Sequence, residues 1–277
     1  MTTIELMQPY FSSDHSIGES ILTLDAPEID RETKEILPID LDSPVPIFAI
    51  AHQYNIARPL IIDSDISGFW KLYKNAESSG QKYTYGIKIA VCQDMDDKTP
   101  EQESTESNII IIFKNSRAYY DMVPLYTEAS TRGMTAKCRR MDWKTLKKYW
   151  TGNFKLAVPF YSSFIARNLL KFGSAALPEF GDVQPTFFIQ RQGLPFDDIL
   201  EQATKSYCKE NNYKSIEAHH CYYHKDEDIK AYLTFRCIQD RSTLDKPEQS
   251  HFCSDGFSFE SYVRKTSQVA TPKKKIS

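Results

Sequence analysis

The stretch IIIIFKNSRAYYDMVPLYTEASTRG (109–133), followed at 138–150 by CRRMDWKTLKKYW, decides the fold class. Five consecutive apolar residues, 109–113, read as a strand buried on both faces. Asp142 precedes Trp143, Lys144, Thr145 and Leu146 as a capping carboxylate would, and Gly152 marks where the helix it opens should close. Elsewhere in the chain, residues 59–62, 85–91, 156–160, 186–190 and 216–223 are further strand candidates. A helical pattern over 196–212 places Ile199, Leu200, Ala203 and Tyr207 on one predicted face. Strand–helix units with apolar strands imply a parallel α/β sheet covered by helices, either open or closed into a barrel.

The composition agrees with a globular chain: 277 residues, 41% hydrophobic, and 34 Lys+Arg against 37 Asp+Glu, a net charge of −3. That balance excludes a surface built throughout to neutralise phosphates. No window has the apolar length of a membrane span, and the first twenty residues lack a signal peptide's basic start and apolar run, so a cytoplasmic protein with no membrane partner is expected. The six cysteines contain no CxxC pair and are expected to be reduced thiols.

Two segments depart from the alternation. Residues 94–106 carry Asp94, Asp96, Asp97, Glu101, Glu103 and Glu106 against Lys98, and are expected to be a mobile surface loop. Residues 264–277 hold Arg264, Lys265, Lys273, Lys274 and Lys275 with no acid, the pattern of a frayed basic terminus able to make a weak contact with DNA. Lys137, Arg139 and Arg140 form a second short basic cluster.

Glycine-rich phosphate loops, a GxSxG elbow and HExxH are all absent, which removes the dinucleotide, P-loop, hydrolase and zincin classes. The His219-His220 pair with His224 invites a metal reading. Adjacent strand residues point to opposite faces, however, so these two imidazoles are not expected to share one ion. The doublets Tyr119-Tyr120, Tyr222-Tyr223 and Phe187-Phe188 read as core and rim packing, because a base-stacking platform also needs interleaved cations.

In the order of its segments the chain resembles the PHP (polymerase and histidinol phosphatase) domain at the start of the bacterial replicative polymerase, the polymerase III alpha subunit. Besides 109–133 and 138–150, the resemblance runs through HSIGESIL (15–22), IIDSDISGFWKLYKNAESSGQKYTYGIKI (61–89), FFIQRQGLP (187–195) and the long segment from HHCYYHKDED to SDGFSF (219–259). It implies a distorted seven-stranded (β/α) barrel over residues 1–260, followed by a basic, flexible tail at 261–277. It also implies a site at the carboxyl ends of the strands, where active members hold two or three metals for phosphoester hydrolysis.

Matched residue by residue, that ligand set is degenerate. The family's ligand positions correspond here to Ser12, Asp14, Glu19, Asp63, Lys88, Phe160, His220 and Tyr222. A lysine and a phenyl ring among them remove ligands, and Lys88 adds like charge, so no catalytic residue and no metal cofactor are expected. Two arrangements stay open: Lys88 acting as an internal cation near Asp63 or Asp14, or one divalent metal such as zinc, manganese or magnesium on Asp14, Glu19, Asp63 and His220. Only 260–277 follow Phe259, where the family continues into palm, fingers and thumb, so no polymerase activity is expected.

The resemblance therefore implies a non-catalytic module, a structural or docking subunit in DNA replication. Its expected partners are a polymerase core, a proofreading exonuclease or a host replisome component. A reduced-metal phosphoesterase is the alternative, and a decoy that binds host replication proteins is a further one. A phage or other mobile-element origin fits such a split version.

Overall fold

The computed structural model describes residues 9–39, 44–136, 138–170, 175–245 and 254–270. Its strands are β1 (Pro9–Phe11), β2 (Leu60–Asp63), β3 (Thr84–Cys92), β4 (Ser107–Phe113), β5 (Arg140–Asp142), β6 (Phe154–Val158), β7 (Thr186–Ile189), β8 (Lys214–Glu217) and β9 (His219–Cys221). Its helices are α1 (Ile47–Gln53), α2 (Phe69–Ser79), α3 (Pro100–Ser104), α4 (Arg117–Thr131), α5 (Trp143–Tyr149), α6 (Phe164–Leu170), α7 (Asp197–Glu210), α8 (Ile229–Asp240) and α9 (Phe259–Ala270). The fold is mixed α/β, with a nearly closed, barrel-shaped sheet as in a barrel of the PHP type. Eight strands run in the order β8-β7-β6-β4-β3-β2-β1-β9 and β5 pairs with β3, so the path holds one strand more than the expected seven. No described helix is long and apolar enough to cross a membrane.

The extra strand comes from the segment read as one strand over 216–223. Ala218 interrupts it: its N–H is taken by the carbonyl of Ile189, and the chain continues as β8 on one side and β9 on the other, with different partners. Two short strands, β1 and β5, lie outside the predicted set, being three residues each and too brief for periodicity to register.

The chain divides into two compact units. The first comprises residues 1–83, 191–195 and 219–277. Within it β1 lies between β2 and β9 and is parallel to both, Phe11 standing opposite Ile61 and Cys221. All ten residues of these three strands are buried, which is why so short a strand as Pro9–Phe11 holds its place. The rings of Phe11 and Phe259 stack at 5.8 Å, and those of Tyr222 and Tyr232 at 5.3 Å, anchoring α9 and α8. Helix α9 carries Arg264 and Lys265, so the segment expected to be a flexible tail from 261 is helical through Ala270; Arg264 pairs with Asp226 and the Lys265 ammonium donates to the Arg191 carbonyl at 2.6 Å. Lys273, Lys274 and Lys275 lie outside the described residues.

The second unit comprises residues 84–190 and 196–218. Here β3 and β4 are antiparallel, as are β4 and β6, whereas β6, β7 and β8 run parallel. The registers sort the side chains into two faces. Ile87, Ile89, Val91, Ile109, Ile111, Phe113, Phe154, Leu156, Val158, Phe187 and Ile189 share one, against which Phe164 of α6 and Tyr207 of α7 pack on Phe187. Lys88, Ile110, Ile112, Lys155, Ala157, Thr186 and Lys214 share the other.

Helix α5 begins as predicted: the Asp142 carboxylate accepts the Thr145 N–H at 2.7 Å. Helix α7 turns its predicted face, since Ile199 is 58% exposed while Asp197, Leu200, Glu201, Thr204 and Cys208 are buried. The acidic 94–106 segment is tied down instead of loose. It contains α3, buries Gln102, and delivers Glu106 to the fully buried Arg140 at 3.0 Å, with Lys98 donating to the Met95 carbonyl at 2.7 Å. The basic cluster at 137–140 disperses as well: Arg140 is interior, Arg139 lies over the Tyr126 ring at 5.2 Å, and Lys137 is outside the described residues.

Candidate functional site

Parallel pairing of β1 with both β2 and β9 brings the chain just beyond Phe11 beside Asp63 and the end of β9. Six of the eight family ligand positions, Ser12, Asp14, Glu19, Asp63, His220 and Tyr222, therefore fall in the first unit. Lys88 and Phe160 belong to the second. Lys88 is half-buried in the middle of β3 opposite Ile110, on the face it shares with Ile112, Lys155 and Ala157. Phe160 follows β6 as a buried ring set edge-on to Tyr161 at 5.0 Å.

Asp63 ends β2 with no exposed surface, and three donors of the first loop hold it. The Ser13 N–H donates to Oδ1 at 2.8 Å, the Ser13 hydroxyl to Oδ2 at 3.0 Å and the Ser16 hydroxyl to Oδ1 at 3.0 Å. Ser16 accepts in turn from the Ser64 N–H at 2.9 Å. Burial pushes the Asp63 carboxyl up to about 6, while these hydrogen bonds work in the opposite direction.

The neighbouring pair is Ser12 and His220, with Oγ and Nε2 2.8 Å apart. A serine beside a histidine invites comparison with an activated nucleophile. The proton count excludes it in this geometry. Ser12 has one hydroxyl hydrogen, and it is given to the carbonyl of Ile62 at 2.8 Å, an acceptor with no proton to offer. His220 Nε2 must therefore be the donor to Ser12. It has no lone pair for the serine proton, and none for a metal.

The imidazole is fixed by its surroundings: the Tyr10 ring stacks on it at 4.1 Å, the Tyr222 ring lies at 4.0 Å, and Gln192 clasps its backbone, donating to the His220 carbonyl at 2.7 Å and accepting its N–H at 3.3 Å. Burial holds the Tyr222 hydroxyl well above the usual phenol range. Asp14 turns to its neighbour His15, at 3.0 Å, on the part-exposed side of the loop. Glu19 is close enough to Tyr222 to add to that rise. His219 faces away from His220, as strand geometry requires: its Nε2 donates to the Ser258 carbonyl at 3.1 Å, and burial drives its pKa down to about 3. Both histidines are buried, as is His224.

In this arrangement the groups are engaged with one another. The Asp63 oxygens face three hydrogens, the His220 nitrogen facing Ser12 is protonated, and Asp14 is turned to His15. Among the described residues no three of histidine, cysteine, aspartate and glutamate assemble as a metal-binding group. Three contributors escaped the sequence reading: Ser13, Ser16 and Gln192. The run Ser12-Ser13-Asp14-His15-Ser16 carried a signal in its hydroxyl density, but Gln192 reaches the site from a remote loop and left no local trace.

The fold and this cluster define a barrel-type α/β protein whose strand-end site is made of hydroxyls and a hydrogen-donating histidine. No protein-family model matches the chain. Over 208 residues, 70% of its length, it is 26% identical to the DNA polymerase III subunit alpha of Thermus aquaticus, of which it spans 16%.

Proposed function

We propose that this protein is a non-catalytic PHP-like module that serves as a structural or docking subunit in DNA replication. The observation that carries the proposal is the Ser12–His220–Asp63 arrangement, in which every facing group is committed to a hydrogen bond within the first unit. Such a network rigidifies the end of the sheet without a cofactor. The similarity to a replicative polymerase subunit supplies the setting. On this reading the chain works in the cytoplasm through its surfaces, on a polymerase core, a proofreading exonuclease or a host replisome component. A helper and a decoy would use the same surfaces.

Purification in unchelated buffer, elemental analysis and co-purification from cells expressing the protein test it together. The expected result is no stoichiometric zinc, manganese or iron, no phosphoesterase turnover, and recovery of a replication protein. About two metal ions per chain, with turnover lost in Asp63→Ala, would establish the phosphoesterase reading instead. Loss of replication in cells that produce the chain, with a replication protein captured, would select the decoy.

A further inference from the structure

At the end of the second unit's sheet where β4 finishes and β6, β7 and β8 begin, lysines gather at the rim of the face that buries Ile110, Ile112, Ala157 and Thr186. Lys155 of β6 pairs with Ile112, two residues before Lys114 on the same face of the chain leaving β4. Across the parallel strands, Ala157 is opposite Thr186 and Thr186 opposite Lys214, so Lys214 joins them on that face. Lys114 and Lys214 stand on the outer two of four neighbouring strand paths, three interstrand spacings or about 14 Å apart.

Among the described residues no ion pair involves any of these three lysines, and Lys114 alone has a hydrogen bond, to the Gly152 carbonyl at 2.9 Å. The carboxylate beside this end of the sheet, Asp121, is taken by Thr151 at 2.8 Å and Asn153 at 2.7 Å, and by Arg117. Lys155 is half-buried; burial first, then the charges of Lys214 and Lys114, hold its pKa below the usual lysine range. A charge crowded by two like charges and partly removed from water is stabilised by an anion more than an isolated surface lysine would be.

We propose that Lys114, Lys155 and Lys214 form a binding surface for the sugar–phosphate backbone of a nucleic acid. A span of about 14 Å exceeds one small anion and suits successive phosphates. Lysine reads phosphate as a point charge and specifies no base, so binding is independent of sequence. The choice of a nucleic acid over an acidic peptide rests on the replication reading above.

The test is fluorescence anisotropy of a labelled oligothymidylate, and of labelled poly-glutamate, titrated with the full chain and with the Lys155→Gln/Lys214→Gln double variant across a salt series. Thermal melts confirm that both proteins are folded, and a chain ending at Thr271 separates the tail's contribution. The expected result is oligothymidylate binding weakened at least about tenfold by the double substitution at low salt, with the slope of log K against log salt reduced by about 1.4, and with the same loss when residues 272–277 are absent. An unchanged slope, or equal affinity for poly-glutamate, would overturn the surface. If replication proteins co-purify while the slope is unchanged, this proposal fails and the replication reading stands. A reduced slope with no such protein recovered sinks that reading alone.

Discussion

Two buried residues of the first unit titrate in opposite senses. Asp63 has its pKa raised by burial from the ordinary 3.8 to about 6, so its contribution to stability is fully present below the unfolded value and is lost as pH rises through 6. His219 is lowered from 6.5 to about 3; its contribution is present above 6.5 and is lost as pH falls toward 3. Between pH 4 and 6 the two partly cancel. Replacing either uncovers the other. In urea unfolding from pH 4 to 7, Asp63→Asn should gain stability relative to the parent as pH rises, by on the order of 2–3 kcal/mol, because the amide has no charge to bury. His219→Gln, which keeps a donor for Ser258, should lose much of the acid sensitivity. Parallel pH profiles for the parent and Asp63→Asn would show that Asp63 ionises in the fold at its ordinary pKa.

Among the elements, α3 and β5 depend on one another through Arg140 and Glu106. The guanidinium has no exposed surface, and Glu106 at 3.0 Å is the carboxylate that faces it. Removing the acid leaves a buried charge unpaired, so Glu106→Ala should cost about 3–5 kcal/mol, read as a shift in the urea midpoint. Substituting Asp96, whose pair with Arg132 is exposed on both sides, should cost under about 1 kcal/mol. A cost for Glu106→Ala as small as that of the surface pair would mean that water reaches Arg140. This contact also explains how far the sequence could be read. Apolar runs such as β4 and β7 announce themselves because their pattern is local. So does the Asp142 cap, whose donor is three residues away. The acidic segment read as loose because its charge pattern is that of solvated chain, and its anchor lies 34 residues downstream. For the candidate site, Ser12, Asp63 and His220 were singled out only through the order of segments that the resemblance implies. Their chemistry was not, since it turns on which of two atoms holds a hydrogen 2.8 Å from the other.

For the molecule as a whole, a net charge of −3 conceals strong local differences. The acidic 94–106 segment and the lysine-bearing face belong to the same unit, while Lys273, Lys274 and Lys275 follow α9. Any contact with DNA should be steep in salt and weak at physiological ionic strength. Deleting residues 272–277 should reduce retention on a DNA column at low salt and leave the complex with a protein partner intact. Tight DNA binding near 200 mM salt would contradict this.

The central place of β4 carries a consequence for the chain while it is being made. Ser107–Phe113 has β3 on one side and β6 on the other, and β3 precedes it on the ribosome. Its second neighbour is encoded later: 40 residues lie between Phe113 and Phe154. At ordinary elongation rates the four-isoleucine edge therefore waits roughly 2–8 s for its partner. During that interval a row of unsatisfied amides borders one of the most β-prone runs in the chain, an invitation to pair with another nascent copy. The yield of native protein should accordingly depend on translation speed through 114–153 and on chaperones that shield the open edge.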